Sequence, residues 1–281
     1  MLVNFIEMLN NAKKERCAIP HLNINNLEWS KIILEKCQEL NVPVILGVSA
    51  SAAEYFGGWY VCYSVVSSLI KSLNITIPVC LHVDHGTKEE CIEAINSGFT
   101  SVMIDASKYK IEENIKITKE VVDYAHQRNV SVEAEIGTIG LAENKENNWA
   151  DINECIRLCE ETNIDAIAPA IGNAHGIYIE TPKLNFKLLK EINDKIKIPL
   201  VLHGGSGITN NEMKELIRNG ISKVNINTDL QLVWKKGVMK YIENNKDVYD
   251  PRKIIYSGKK EMNKKIEELV DLFETKKVSN L

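Results

Sequence analysis

The sequence lacks what would place it in a membrane, on nucleic acid or in an oxidising compartment. No run is long and apolar enough to cross a bilayer. The opening MLVNFIEMLNNAKKER spaces its apolar residues as a helix does and is broken by Glu7. It has no secretory apolar region and no cleavage site, so no export signal is expected. No lysine-arginine block interleaved with aromatics occurs, and the formal net charge is only -4, which argues against nucleic acid as a partner. The seven cysteines (Cys17, Cys37, Cys62, Cys80, Cys91, Cys155, Cys159) are odd in number and scattered without framework spacing. They read as reduced thiols, and the expected location is cytoplasmic. Cys155 and Cys159 lie four apart on a predicted helix, but no second pair joins them, so packing is the expected role. No GxGxxG follows any apolar run, which leaves an open nucleotide-binding sheet without its signature. No linker rich in Pro, Gly or Ser divides the chain, and residues 1–281 are read as one domain.

What is present is a repeat of short apolar runs, each followed by a helical pattern. Strands are expected at 17–24, 43–49, 80–86, 101–105, 130–137, 166–172, 199–203 and 223–227. Helices are expected at 27–40, from 50 to about Leu73, and at 88–97, 111–127, 152–162, 184–193, 209–219, 229–244 and 257–275. Eight strand-helix units of this size in one chain suggest a closed parallel (β/α)8 barrel of the TIM type, with extra terminal helices.

That architecture gathers reactive side chains where strands end. The polar residues fall there: Asn23, Ser49, Asp84 with His85, and Asp105 after the first four strands. Glu133 and Glu135 lie on the fifth, His175 just past the sixth, His203 after the seventh, and Asn225 and Asn227 on the eighth. In Cys80–Gly86, strand alternation puts His82 and Asp84 on one face and His85 elsewhere or at the turn. His85, His175 and His203 could converge on one cation, since three neutral imidazoles with an open position suit catalytic zinc. Glu135 could approach the same ion. Three separate hydrogen-bonded histidines are the other reading of the same placement. The glycines of His203-Gly204-Gly205-Ser206-Gly207 allow backbone N–H groups to crowd an anion, and Asn225-Ile226-Asn227-Thr228 offers amides and a hydroxyl to the same place. Loops after strands seven and eight are where barrels of this type hold phosphate.

Nine segments together carry a resemblance: HLNINNLEW, PVILGVS, HVDHG, GFTSVMIDAS, SVEAEIGTIG, AIGNAHGIY, PLVLHGGSGI, KVNINTDLQ and YDPRK. The chain resembles the class II, metal-dependent ketose-bisphosphate aldolases, most closely the fructose-1,6-bisphosphate aldolases, nearly from end to end. The resemblance implies that His85, His175 and His203 bind zinc or another divalent ion, with Glu135 able to approach it. A monovalent cation is a further candidate cofactor. It makes Asp84 the acid/base at the C4 hydroxyl and Glu143 the glutamate of the loop after strand five. Gly176, Gly204, Ser206, Asn227 and Thr228 correspond to the phosphate cradle. Asn23, Ser49 and Asn225 correspond to residues near the substrate. Asp250 and Arg252 correspond to a pair reaching a neighbouring subunit's substrate, which implies a homodimer or homotetramer.

Two departures from the family pattern stand out. Ile179 occupies the position of a phosphate-holding lysine in the fructose-type motif, which keeps a tagatose-bisphosphate aldolase as the alternative; Lys183 could substitute. The loop after strand five has Leu141 for a glycine and a rewritten acidic tail. That alteration keeps open a barrel that binds sugar phosphate without turnover. The expected reaction is cleavage of fructose 1,6-bisphosphate to dihydroxyacetone phosphate and glyceraldehyde 3-phosphate. A Schiff-base route would need an inward-pointing lysine, and only Lys223, at the start of the eighth strand, qualifies.

Overall fold

Eight parallel strands close on themselves in sequence order, β1 pairing with both β2 and β8, so the barrel expectation holds. The computed structural model describes residues 2–140, 149–176, 178 and 182–279. In chain order the elements are α1 (Ile6–Glu15), β1 (Ile19–Asn23), α2 (Leu27–Leu40), β2 (Val44–Val48), α3 (Ala50–Phe56), α4 (Trp59–Ser72) and β3 (Val79–Gly86). There follow α5 (Lys88–Ser97), β4 (Ser101–Ile104), α6 (Ile111–His126), β5 (Ser131–Ile136), α7 (Ile152–Thr162) and β6 (Ala166–Pro169). The chain ends with α8 (Phe186–Lys195), β7 (Leu200–Leu202), α9 (Asn210–Arg218), β8 (Ile221–Ile226), α10 (Thr228–Asn244), α11 (Pro251–Tyr256) and α12 (Lys259–Leu272).

One expected helix is two. The segment after β2 breaks between α3 and α4 because Gly57 and Gly58 take φ values of 100° and 119°, which end a right-handed helix. Helices that follow site-bearing strands start from defined caps: Thr87 with Glu90, and Thr209 with Glu212, each form a reciprocal capping box. These caps fix where the β3 and β7 loops must end.

The strands sort their side chains by alternation. Leu22, Leu46, Leu81, Val102, Val132, Ile167, Leu202 and Val224 face outward and are covered by the helices. Each such burial is worth about 1.5–3 kcal/mol, which is what holds the helical ring on. A second, smaller cluster fills the lower barrel: Ile19, Ile45, Cys80, Ala166, Ala168 and Val201 meet Phe5, Met8, Leu9 and Ala12. The opening helix α1 therefore closes the bottom of the barrel. Between this plug and the upper rim lies a polar layer of His21, His82, Glu133 and Lys223, all fully buried. Among the described residues no helix is long and apolar enough to cross a membrane, and all seven cysteines are free.

Candidate active site and metal centre

The upper rim is organised by an irregularity in β3. Its register against β4 shifts between Val83 and Gly86, and His85 adopts a left-handed backbone with φ 56°. Plain alternation would send Asp84 and His85 to opposite faces. The bulge turns both side chains into one cavity, so that of the two placements expected for His85 it takes the one at the turn. A left-handed non-glycine residue costs about 1–2 kcal/mol, so the surrounding contacts must hold it. Gly86 is needed beside it, because an added Cβ would lie 2.8 Å from a Val83 methyl and 3.0 Å from the Cys91 sulfur.

Three imidazoles meet in that cavity. Ring centroids of His85 lie 4.6 Å from His203 and 4.9 Å from His175, and one ligand nitrogen of each falls within 4.8 Å of the others. His85 Nδ1 is 2.8 Å from Asp105 Oδ2, and His203 Nε2 is 2.7 Å from Glu133 Oε1. A carboxylate only accepts, so each ring carries a proton on the nitrogen facing its carboxylate. The remaining nitrogens, His85 Nε2 and His203 Nδ1, then face each other at 2.9 Å. Two lone pairs at that distance require a positive charge, either a proton or a metal ion. His175 Nε2 is buried with no hydrogen-bond partner. The donor set fits a divalent cation; a proton shared between His85 and His203 is the other way to satisfy the pair.

Burial and neighbouring charges shift the groups around the cavity from their ordinary values. Burial opposes charge on His85, yet the Asp105 hydrogen bond and the Asp84 and Glu135 carboxylates lift it to about 9. Burial lowers His175 to about 4, with the His85 charge adding to the effect. Burial, reinforced by Asp105, raises Glu135 to about 8. One Glu135 oxygen accepts from Ile139 N at 3.0 Å and the other is buried without a partner. His85, Asp105 and Glu135 form a second group able to hold an ion. Burial also opposes charge on Asp84, but His21, His85 and His203 and the Asn23 amide hold its carboxyl well below the usual range. Asn23 Nδ2 donates to Asp84 Oδ2 at 2.8 Å, and Asn225 Nδ2 to Oδ1 at 3.3 Å.

The cavity, of about 350 Å³, is lined by Asn23, Asp84, His85, His175, Gly176, Gly204, Ser206, Asn225, Asn227 and Thr228, together with Asp105 and Ile139. Ten of the residues to which the resemblance gives a role thus share one space. The loops after β6 and β7 touch closely there: a Cβ on Gly204 would lie 2.0 Å from Ala174 O. Tyr178 ties them, its hydroxyl accepting from Ala174 N at 2.8 Å and donating to Gly204 O at 3.0 Å. The Asn227 side-chain oxygen is buried and unpartnered.

Other expected residues fall elsewhere. Ser49 does not line the cavity and caps α3, accepting from Ala52 N. Glu135 lies buried below the rim, not on the cavity wall. Asp250 and Arg252 pair with each other on a separate surface groove, the Arg252 side chain 88% exposed. Glu143, Leu141 and Ile179 lie outside the described residues, and Lys183 does not line the cavity. Lys223 is fully buried and held by Glu133 at 2.8 Å, out of reach of a substrate. Among the described residues no lysine lines the cavity. Asp105, Glu133 and Tyr178 were given no role from the sequence. The i, i+2 spacing of Glu133 and Glu135 on one strand signals the second of these, because both must point inward.

A family model described as fructose-bisphosphate aldolase class-II matches residues 3–277. The chain belongs to the class-II fructose-bisphosphate aldolase family. The fructose-bisphosphate aldolase of Staphylococcus epidermidis is 50% identical over 259 residues, covering 90% of this chain and 91% of that protein. The enzyme of the same name from Geobacillus stearothermophilus is 48% identical over 263 residues, 92% of each. Among solved structures, the YdjI aldolase of Escherichia coli K12 superposes with a TM-score of 0.85 at 32% identity, covering 98% of both chains. Class-II aldolases depend on a metal in general, and the histidine and carboxylate groups above could hold one.

Proposed function

We propose that this chain, as one barrel domain, reversibly cleaves fructose 1,6-bisphosphate to dihydroxyacetone phosphate and glyceraldehyde 3-phosphate with zinc as its metal. The observation that carries the reading is the convergence of His85, His175 and His203 on one cavity that also holds Asp84 and the Gly204–Ser206 and Asn227–Thr228 segments. A divalent ion held by the three histidines, with Glu135 as an alternate ligand, supplies Lewis-acid stabilisation of the negative charge that develops on the ketose half.

The chain's own residues do the rest. Asp84 is ionised, and the Asn23 and Asn225 amides hold its two oxygens in place. It takes the proton of the C4 hydroxyl as the O–H pair becomes the second bond of the aldehyde carbonyl and the C3–C4 pair moves onto the departing triose. Glu143 returns a proton to that triose. Gly176, Gly204, Ser206, Asn227 and Thr228 hold one phosphate. The N-terminus of α10, which opens at Thr228, favours an anion there. Asn23, Ser49 and Asn225 orient the sugar.

Ile179 favours a second reading, preference for tagatose 1,6-bisphosphate. Comparing kcat/KM on the two epimers, before and after dialysis against a chelator, tests both. Cleavage of the fructose epimer at higher kcat/KM, lost with the metal and restored by zinc, is expected. Equal or reversed preference overturns the substrate. Cleavage that ignores the chelator overturns the metal, and no cleavage of either epimer points to a barrel that only binds sugar phosphate.

We also read the chain as a cytoplasmic homodimer or homotetramer. Leu232, Met239 and Ile242, spaced seven and three apart on α10, are exposed, as is Tyr249 beside the Asp250–Arg252 pair. A monomer by sedimentation equilibrium at micromolar concentration would remove that assembly.

A further inference from the structure

We propose that Glu133 and Lys223, a charge-balanced pair inside the barrel, are positioning residues that fix the His203 ring so that it offers Nδ1 to the metal. This rests on the metal reading above. Glu133 stands between two partners: its Oε2 accepts from Lys223 Nζ at 2.8 Å and its Oε1 from His203 Nε2 at 2.7 Å. All three side chains are fully buried. With Lys223 donating to one oxygen, the other Glu133 oxygen accepts from His203 Nε2, which places the ring's proton there and its lone pair on Nδ1, where the Asn225 amide lies 3.2 Å away. Nδ1 is the nitrogen that faces His85 Nε2.

Lys223 supplies the positive charge that a buried carboxylate requires. It is itself held from a second side by His82 Nε2 at 3.4 Å, whose Nδ1 bonds Ser101 Oγ at 2.8 Å. Stability alone does not explain the pair. Buried ion pairs are seldom better than well-packed apolar residues, and the barrel interior just below is filled by Ile19, Ile45, Cys80 and Val201. What the pair does that apolar side chains cannot is orient the ring that Glu133 touches. Carboxylates behind metal-binding histidines act in this way, and losing one weakens metal affinity about 10- to 100-fold.

The test separates orientation from folding. Glu133→Leu with Lys223→Met removes both charges and the acceptor. Its apoprotein is expected to keep a Tm close to wild type, while cobalt(II) affinity, read by competition with a chromophoric chelator, falls about 10- to 100-fold. Glu133→Gln retains an accepting amide oxygen and is expected to bind cobalt more tightly than the double variant; where the double variant does not fold, Glu133→Ala takes its place in the comparison. Cobalt affinity of the acceptor-free variant within threefold of wild type, or no tighter binding in Glu133→Gln than in that variant, overturns the proposal. Wild-type protein that binds no cobalt at all overturns the metal reading first, and this proposal with it.

Discussion

Replacing Gly204 with alanine should separate the two loops that shape the site. Gly204 has φ 63°, and an added Cβ would sit 2.0 Å from Ala174 O and 2.6 Å from its carbon, both backbone atoms that cannot swing away. Ordinary contact begins at 3.4 Å, so the loops must part by more than an ångström. Left-handed strain in the new residue adds about 1 kcal/mol. Parting the loops also stretches the bonds that cross between them, from Asn173 Nδ2 to His203 O (2.9 Å) and from Tyr178 to Gly204 O (3.0 Å). At about 0.5–1.5 kcal/mol each, the total with the strain is about 2–4 kcal/mol. That corresponds to a fall in Tm of about 5–15 °C. His175 and Gly176 lie on one loop and Ser206 on the other, and a misplacement of one ångström costs about 100-fold in rate. The assay is kcat/KM for fructose 1,6-bisphosphate beside thermal unfolding. Gly58→Ala is the control, with φ 119° and nothing within 4 Å of its new Cβ; it should lose stability without losing activity. A Gly204→Ala protein with kcat/KM within threefold of wild type would refute the argument that these loops are held by contact.

Two further outcomes follow from the geometry. Asp84→Asn keeps the shape but cannot take a proton, so kcat should fall about 100- to 10,000-fold while the protein retains its metal by elemental analysis; an Asn variant with near-normal kcat removes Asp84 as the base. His21 is held neutral, burial and then the nearby Lys223 lowering it to about 3 from the usual 6.5. Between pH 6.5 and 3 the unfolded chain binds this proton and the folded one does not, so stability falls as pH falls through that window. Urea midpoints of the metal-free protein at pH 7 and pH 5 should diverge more in wild type than in His21→Leu, and equal slopes would count against the assignment.

Much of the site was legible because a barrel reads its own alternation. His21 and Asn23, His82 and Asp84, Glu133 and Glu135, and Lys223 and Asn225 all sit two apart on strands, and every one of them points inward. What alternation could not reveal is the β3 bulge: a left-handed histidine leaves no mark in a sequence, since only its neighbours hold it there. Ser49 looked like a rim residue because it ends β2, yet its hydroxyl is taken by the first turn of α3. The break between α3 and α4 was visible in Gly57-Gly58, but the apolar period runs through it and masks the stop. Depth along the axis was also hidden. The same i, i+2 pattern that brings Asn23 to the mouth leaves His21 beneath it, and only the closed sheet tells the two levels apart.

Among the described residues the plug formed by α1 shuts the lower end of the barrel, with Phe5, Leu9 and Ala12 sealed against the lower strands, and the histidines open onto the upper rim. On the proposed reading, ion and sugar share that entrance: scavenging of the cation should slow as the cavity fills with substrate, and inactivation by chelators should be a race that the sugar can win.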